Sequence, residues 1–263
     1  MRKKLPFIAL AAVPLLFWML WFVLPESSIQ AIIEDSAADA PFVLEVRGLG
    51  KGLFYTLTIE KLELRGREQK LGEFTGIRAR INPLFLPLFQ LRMEVRGSLS
   101  SGSVAGRLDF ARDKTTGELE FKSVDFGELG LLRSMGIEGK GTVSGRVVLK
   151  EEGGHAEFYS NDAVFQQAEF SGVRVPLSIF HRVTGALDIH GSAVNIVSLA
   201  LQGEDIQARL KGNIKDNLMN ISMELMPGKT YLENPAVLAG LESFKISPGY
   251  YIIPLNNNYS LRR

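Results

Sequence analysis

The side chains best able to move a proton or hold a metal near neutral pH are the three histidines, His155, His181 and His190. They fall among predicted turns and strand ends, without the short spacings that metal ligands on one element adopt. Exposed or singly hydrogen-bonded histidines are the expected state. One stretch, Gly136 to Gly145, has a phosphate-loop look: GIEGKGTVSG. A true phosphate loop needs glycine, four residues, then Gly-Lys-Ser/Thr. Here Ser134 stands where the first glycine belongs, and Gly141 follows Lys140. The alternation around it reads as strand. GLGKG, from Gly48 to Gly52, has no helix behind it and reads as a turn between strands. No Gly-x-Ser-x-Gly elbow occurs. Asp109, Glu118 and Glu120 lie on predicted polar strand faces, where carboxylates are solvated by default. The expectation is a chain with no catalytic residues, no cofactor and no metal, and so not an enzyme.

The elements that would carry these residues are mostly strands. From Phe42 onward apolar and polar residues alternate with period two. Leu57 and Ile59 alternate with Thr56, Thr58 and Glu60, and the apolar phase then slips to Leu62 and Leu64, which predicts a bulge. Leu91, Met93 and Val95 oppose Arg92, Glu94 and Arg96. Val104, Leu108 and Phe110 share a face, as do Val143, Val147 and Leu149. Ile206, Ala208, Leu210 and Ile214 precede a turn at Lys215, Asp216 and Asn217, after which Met219, Ile221, Met223 and Leu225 share the next apolar face. Helices are expected only at Ser27 to Ile33 with a serine cap, near Phe126–Met135, and near Thr230–Phe244. The fold class that follows is mainly β: an elongated, curved antiparallel meander with a few short helices behind an N-terminal transmembrane helix.

That helix is the strongest single signal. Arg2, Lys3 and Lys4 precede an unbroken apolar run from Leu5 to Leu24, about the length needed to cross a bilayer. Trp18, Trp21 and Phe22 stand near its far end, where aromatic rings favour the lipid–water interface. Basic residues before the run and Glu26, Glu34, Asp35 and Asp39 after it put the N-terminus in the cytoplasm and the bulk of the chain across the membrane. A cleaved signal peptide is the competing reading; the first small-x-small site, Ala38-Asp39-Ala40, lies far downstream. The expected organisation is a tip and anchor over 1–25, a short helical connector over 26–41, and two β units over 42–150 and 151–263. The two units are expected to be similar because Glu73-Phe74-Thr75-Gly76-Ile77-Arg78 returns as Glu169-Phe170-Ser171-Gly172-Val173-Arg174, each followed by a proline-bearing apolar stretch and then alternating strands.

Composition limits the partners. The 263 residues carry 30 basic and 29 acidic side chains, so the net charge of +1 gives nucleic-acid binding no electrostatic support. Cysteine is absent, which suits an oxidising compartment. A meander that is apolar on one face must bury that face or leave it as a groove. The segment from Pro83 to Phe89 is the candidate groove or partner surface: its prolines keep it out of the ladder, while Leu84, Phe85, Leu88 and Phe89 could lie over the apolar face as a lid, or pack as an ordinary core loop.

The glycine-marked strand pairs LRMEVRGSLSSGSVAGRLDF (Leu91 to Phe110) and GIEGKGTVSGRVVLK (Gly136 to Lys150), with NIVSLALQGEDIQARLKGNI (Asn195 to Ile214), resemble the AsmA-like group of bacterial envelope proteins. Size and element order are similar to the accessory inner-membrane proteins of type II secretion systems. The resemblance implies an inner-membrane location with a periplasmic β domain, no catalysis, and contacts with other secretion proteins. An alternative implication is lipid handling along an apolar β groove.

Overall fold

The computed structural model describes residues 18–19, 21–35, 43–65, 70–88, 90–99, 101–111, 114–128, 138–166, 168–170, 173–175, 177–191, 193–215, 218–233 and 239–258. The expectations placed on Arg2, Lys3, Lys4, Leu5 and Phe89 lie outside these residues.

Residues 18–19 and 21–23 are helical, and after a break at Pro25 the helix α1 runs Glu26–Asp35. The strands follow: β1 Val43–Gly52, β2 Thr56–Arg65, β3 Lys70–Ile81, β4 Leu91–Leu99, β5 Gly102–Ala111, β6 Lys114–Asp125, β7 Gly139–Lys140, β8 Thr142–Lys150 and β9 Gly153–Ser160. Then come β10 Val164–Phe165, β11 Ala168–Phe170, β12 Val173–Val175, β13 Arg182–His190, β14 Ala193–Gln202, β15 Ile206–Lys215, β16 Leu218–Pro227, β17 Lys245–Ser247 and β18 Tyr250–Asn258. Fourteen of them form one sheet in the order β1-β2-β3-β4-β5-β6-β8-β9-β13-β14-β15-β16-β18-β17, antiparallel throughout. The chain is thus mainly β and built as one large antiparallel meander with few short helices. The sheet is continuous through residue 150, because β8 and β9 pair across that point.

Period-two alternation translates directly into burial. Leu57, Ile59, Leu91, Met93, Val95, Val104, Phe110, Val143, Ile206, Ala208, Ile221, Met223 and Leu225 are all buried on one face. All but Val104 fall into two clusters. One covers β1 to β5 under Trp21, Ile29 and Ile33; the other runs from Val124 and Val143 to Ile253 and Leu255, under Leu177, Phe180 and Leu241.

The predicted bulge belongs to three strands at once. The inward face shifts between Val46 and Leu49, between Ile59 and Leu62, and between Phe74 and Ile77, all at one level of the sheet. Gly48 (φ 64°) and Gly76 (φ 59°) supply the left-handed backbone that this reversal requires. GLGKG is therefore not a turn: it is the second half of β1, and the turn begins at Leu53.

Other expectations need correction. The helix start is Glu26 with the Pro25 carbonyl as first acceptor, so Ser27 and Ser28 lie inside α1 and do not cap it. Ile29 and Ile33 are buried one turn apart, whereas Ile32 faces out. Of the helix expected near Phe126–Met135, Phe126–Glu128 form a 3-10 turn and the remainder lies outside the described residues. Among the described residues the Thr230–Phe244 region holds a helical turn, Lys229–Leu232, and a 3-10 segment, Ala239–Phe244, on either side of Pro235, the residue expected to cut or start a helix there. The repeated hexapeptide takes two conformations. Its first copy runs through β3, whereas Glu169 and Phe170 end β11 and Val173 opens β12, a separate two-stranded hairpin. What the two halves do share is the next step: a 3-10 turn (Pro83–Leu88, Leu177–Ile179) leading into a long hairpin (β4–β5, β13–β14).

Both edges of the sheet are blunted. Along β1, α1 substitutes for a neighbouring strand: Glu34 accepts the Val46 N–H at 3.1 Å, Gln30 donates to the Val46 carbonyl at 3.3 Å, and Glu26 accepts the Lys51 N–H at 3.0 Å. At the other edge β17 has only three residues.

The outward face is a lattice of alternating charges. Glu45, Glu63 and Glu73 stand in one cross-strand row. Lys61 bridges Glu63 at 2.7 Å and Glu73 at 3.0 Å, and Arg65 bridges Glu63 at 2.6 Å and Glu45 at 3.0 Å. Glu63 is only 4% exposed. Hydrogen bonds from Lys61 and then Arg65 pull its pKa down to about 2 from an ordinary 4.5. A carboxyl whose pKa is depressed by folding contributes stability above its unfolded value and loses it as pH falls through the folded one. The unfolding free energies of the wild type and E63Q should therefore differ at pH 6 and converge between about pH 4.5 and pH 2; denaturant titrations over that range are the check.

Candidate functional site

Two features of the fold could meet another molecule. The first is the apolar face itself. Helix, turns and Trp21 cover its two flanks, and Val124 on β6 and Val143 on β8 belong to the second cluster; along the rest of β6, β8 and β9 no apolar side chain is fully buried among the described residues. Leu119, Phe121, Val147, Leu149, Ala156 and Phe158 on this stretch are all half-buried. Their glycine neighbours let it curve. A side chain at Gly145 would strike the Phe121 ring and the Glu157 carbonyl, and one at Gly185 would strike the Phe158 ring. Large rings thus lie over bare backbone.

The second feature is one end of the sheet, where the turn between β1 and β2 meets the connection between β3 and β4. Thr56 pairs with Arg80, the Ile81 N–H donates to the Tyr55 carbonyl at 2.8 Å, and the Asn82 N–H donates to the Arg92 carbonyl at 2.8 Å. The end of the N-terminal helical segment is pinned to the same place. The Trp21 indole N–H donates to the Gly52 carbonyl at 3.0 Å, and its ring packs on Tyr55 with centroids 5.4 Å apart. Lys51 turns its ammonium onto the carbonyls of Trp21, Phe22 and Leu24, which ended their helix unpaired, and lies 5.0 Å from the Trp21 ring centre.

Trp21 is consequently not displayed as an interfacial aromatic. It is 1% exposed and packed on the hairpin, because its N–H finds a backbone acceptor there. Trp18 and Phe22 do face outward, edge to face at 4.7 Å. Leu24 is half-buried against the first cluster. Of the expected lid, Leu84 and Leu88 are 74% and 64% exposed, so neither is packed onto the apolar face. Phe85 carries the Arg92 guanidinium 4.1 Å from its ring centre, and Arg92 in turn donates to Asp109 at 2.6 Å. The turn therefore extends past the end of the sheet. Lys51, Gly52 and Tyr55 are the parts of this site that sequence reading missed. Their only signal was GLGKG followed by an aromatic pair.

Two of the polar residues in the stretches considered for chemistry, His155 and Thr142, are hydrogen-bonded within the fold. His155 lies on β9 opposite Asp188 of β13, with Nδ1 donating to the carboxylate at 2.6 Å and Nε2 3.4 Å from Glu157. Asp188 first, and Glu157 next, raise the His155 pKa above 6.5. The imidazolium–carboxylate contact is complete below that ordinary value and is lost as pH rises through the folded one. An NMR titration should show D188N returning His155 toward 6.5. The Thr142 N–H and hydroxyl both donate to Asp162, at 3.1 and 3.2 Å. Among the described residues no group of three His, Asp or Glu side chains could hold a metal ion, and no helix is long and apolar enough to cross a membrane.

Comparisons with family models, with curated proteins and with solved structures gave no match to this chain.

Proposed function

We propose that this chain is an anchored, non-catalytic envelope protein of the AsmA-like kind, held in the inner membrane by Leu5 to Leu24 with its β sheet in the periplasm. Within that class we propose the type II secretion accessory component GspN, acting by contacts with other secretion-system proteins. The observation that carries the reading is the single amphipathic meander of fourteen strands, with the end of an N-terminal helical segment fastened to its first hairpin through Trp21 and Lys51. Such a clamp fixes the sheet's orientation at the point where the apolar run ends, which is what a stationary subunit beside a membrane needs. The pairing of two similar units within the sheet remains part of this proposal, supported by the shared order of 3-10 turn and hairpin.

One observation favours a second reading. The apolar side chains on β6, β8 and β9 stay only half-buried along three adjacent strands, so a lipid-binding or lipid-transporting role is the alternative. Purification of the full chain from detergent-solubilised membranes, with proteins and lipids both identified, separates the two. Stoichiometric secretion-system proteins support the first reading. Bound phospholipid without them supports the second. A chain that emerges with neither would overturn both.

A further inference from the structure

The rim of the sheet presents more apolar surface than its folding requires. Leu53, Phe54, Leu84 and Leu88 are exposed on two neighbouring loops, and Met19, Phe22 and Val23 are exposed on the helical segment that Trp21 and Lys51 hold beside them. The counterpart turn in the second half shows that the architecture does not impose this. There Leu177 and Phe180, which occupy the same step between a 3-10 turn and a hairpin, are buried in the core.

The β1–β2 turn adds a separate observation. Phe54 and Tyr55 both have left-handed backbone, with φ of 58° and 60°. That conformation is unfavourable for any residue with a Cβ and unusual for aromatics. Tyr55 gains the contact with Trp21 from it, but Phe54 is left 71% exposed among the described residues. Strain that holds an apolar ring out in water points to a function outside the chain's own core.

We infer that this rim is a membrane-docking surface: Leu53, Phe54, Leu84 and Leu88 enter the interfacial layer of a phospholipid bilayer beside the point where the apolar run emerges. The inference rests on the anchored reading above. The occupant is chosen by where the chain leads. The apolar run Leu5 to Leu24 ends at this rim and at no other part of the sheet. A bilayer that holds the run must therefore lie against these loops. The groups around them suit a headgroup layer, with Arg80 exposed, Arg92 stacked on Phe85, and Lys51 at the helix end. Glu26, Asp109 and Glu94 stand on the same end and keep the rim from being strongly cationic. Apolar insertion, more than attraction to anionic lipid, is thus its grip. Docking would hold the sheet upright and place one end of the uncovered apolar strip at the lipid surface.

The absence of cysteine makes the test direct. Single-cysteine variants F54C, L88C and, as a control at the opposite end of the same hairpin, V43C are made in the full chain. Each is labelled with an environment-sensitive fluorophore and reconstituted into phosphatidylcholine–phosphatidylglycerol vesicles containing brominated lipid. Labels at 54 and 88 should be blue-shifted and quenched several-fold more than the label at 43. If the chain floats with the vesicles but all three labels stay in water, the docking inference is overturned while the anchor stands. A chain that does not float removes the anchor, and the inference with it. Immersion that persists in a variant with Leu53, Leu84 and a second rim residue, Phe22, changed to serine would also overturn it, since the label and not the rim would then be responsible. If instead cross-linkers at 54 and 88 capture a defined protein in cells and vesicles give no quenching, the surface belongs to a protein partner.

Discussion

Replacing Phe180 with alanine will destabilise the sheet by about 3–5 kcal/mol, whereas the same truncation at Leu84 will cost no more than about 0.5 kcal/mol. Phe180 is 1% exposed and sits at the end of a 3-10 turn tied on both sides. Its N–H donates to the Leu177 carbonyl at 3.1 Å, the His181 N–H donates to Gln202 at 3.1 Å, and the His181 carbonyl accepts from Ala163 at 3.0 Å. With the backbone pinned this way, the turn cannot sink into the space that the ring leaves. The cavity term therefore adds to the lost transfer energy. Leu84 is already in water on the surface of the isolated chain, so truncating it exposes nothing. Equilibrium unfolding of the detergent-solubilised chain, followed by the β-sheet circular dichroism signal, measures both. Similar costs at the two sites would mean that Leu84 is packed after all.

Gly212→Ala will be comparably damaging, at about 3–5 kcal/mol from backbone strain and overlap together. Gly212 has φ 140°, a region that residues with a Cβ rarely enter. A Cβ there would also overlap the Asn220 carbonyl oxygen and press on the Ile221 Cα. Both atoms are backbone of β16, in register with Gly212 itself, so relief requires opening the β15–β16 ladder next to the bulge at Ile196–Leu199. Gly191→Ala is the matched control. It has φ 55° in the β13–β14 turn with nothing within 4 Å of the added carbon, so only the left-handed penalty of about 1–2 kcal/mol applies. Equal losses at the two glycines would show that close strand approach contributes nothing at Gly212.

These two cases also mark what the sequence could and could not reveal. Alternation exposed the strands because an antiparallel sheet with one covered face writes burial into every second residue, as Leu91, Met93 and Val95 or Ile221, Met223 and Leu225 show. The slip at Leu62 was readable for the same reason. Its spread across β1 and β3 was not, because neighbouring strands are distant in sequence. The hexapeptide shared by Glu73–Arg78 and Glu169–Arg174 misled because six residues do not fix backbone path; the paired strands around the first copy hold it extended, and the second folds back on itself. Leu84 and Phe180 were indistinguishable in pattern. Exposure of one and burial of the other depend on what the second half of the chain packs above each turn. Trp21 was misread in the same way: an aromatic at the end of an apolar run looks interfacial until a hairpin supplies Gly52 as its acceptor.

The order of strands has a consequence for how the molecule is made. Ten steps of the sheet, from β1 to β6 and again from β13 to β16 with β8–β9 and β17–β18, join strands that are neighbours in the chain. Loop-closure entropy is small for such pairings, and low sequence separation between contacts favours fast assembly. Only the steps β6–β8, β9–β13 and β16–β18 reach past an intervening strand or turn. A chain delivered N-terminus first can therefore lay down each hairpin on the one before it, starting from the edge that α1 has already closed. Until β18 arrives and β17 folds onto it, the newest strand at the growing end is an open edge, and the span from β9 to β13 is where assembly must wait for the most chain.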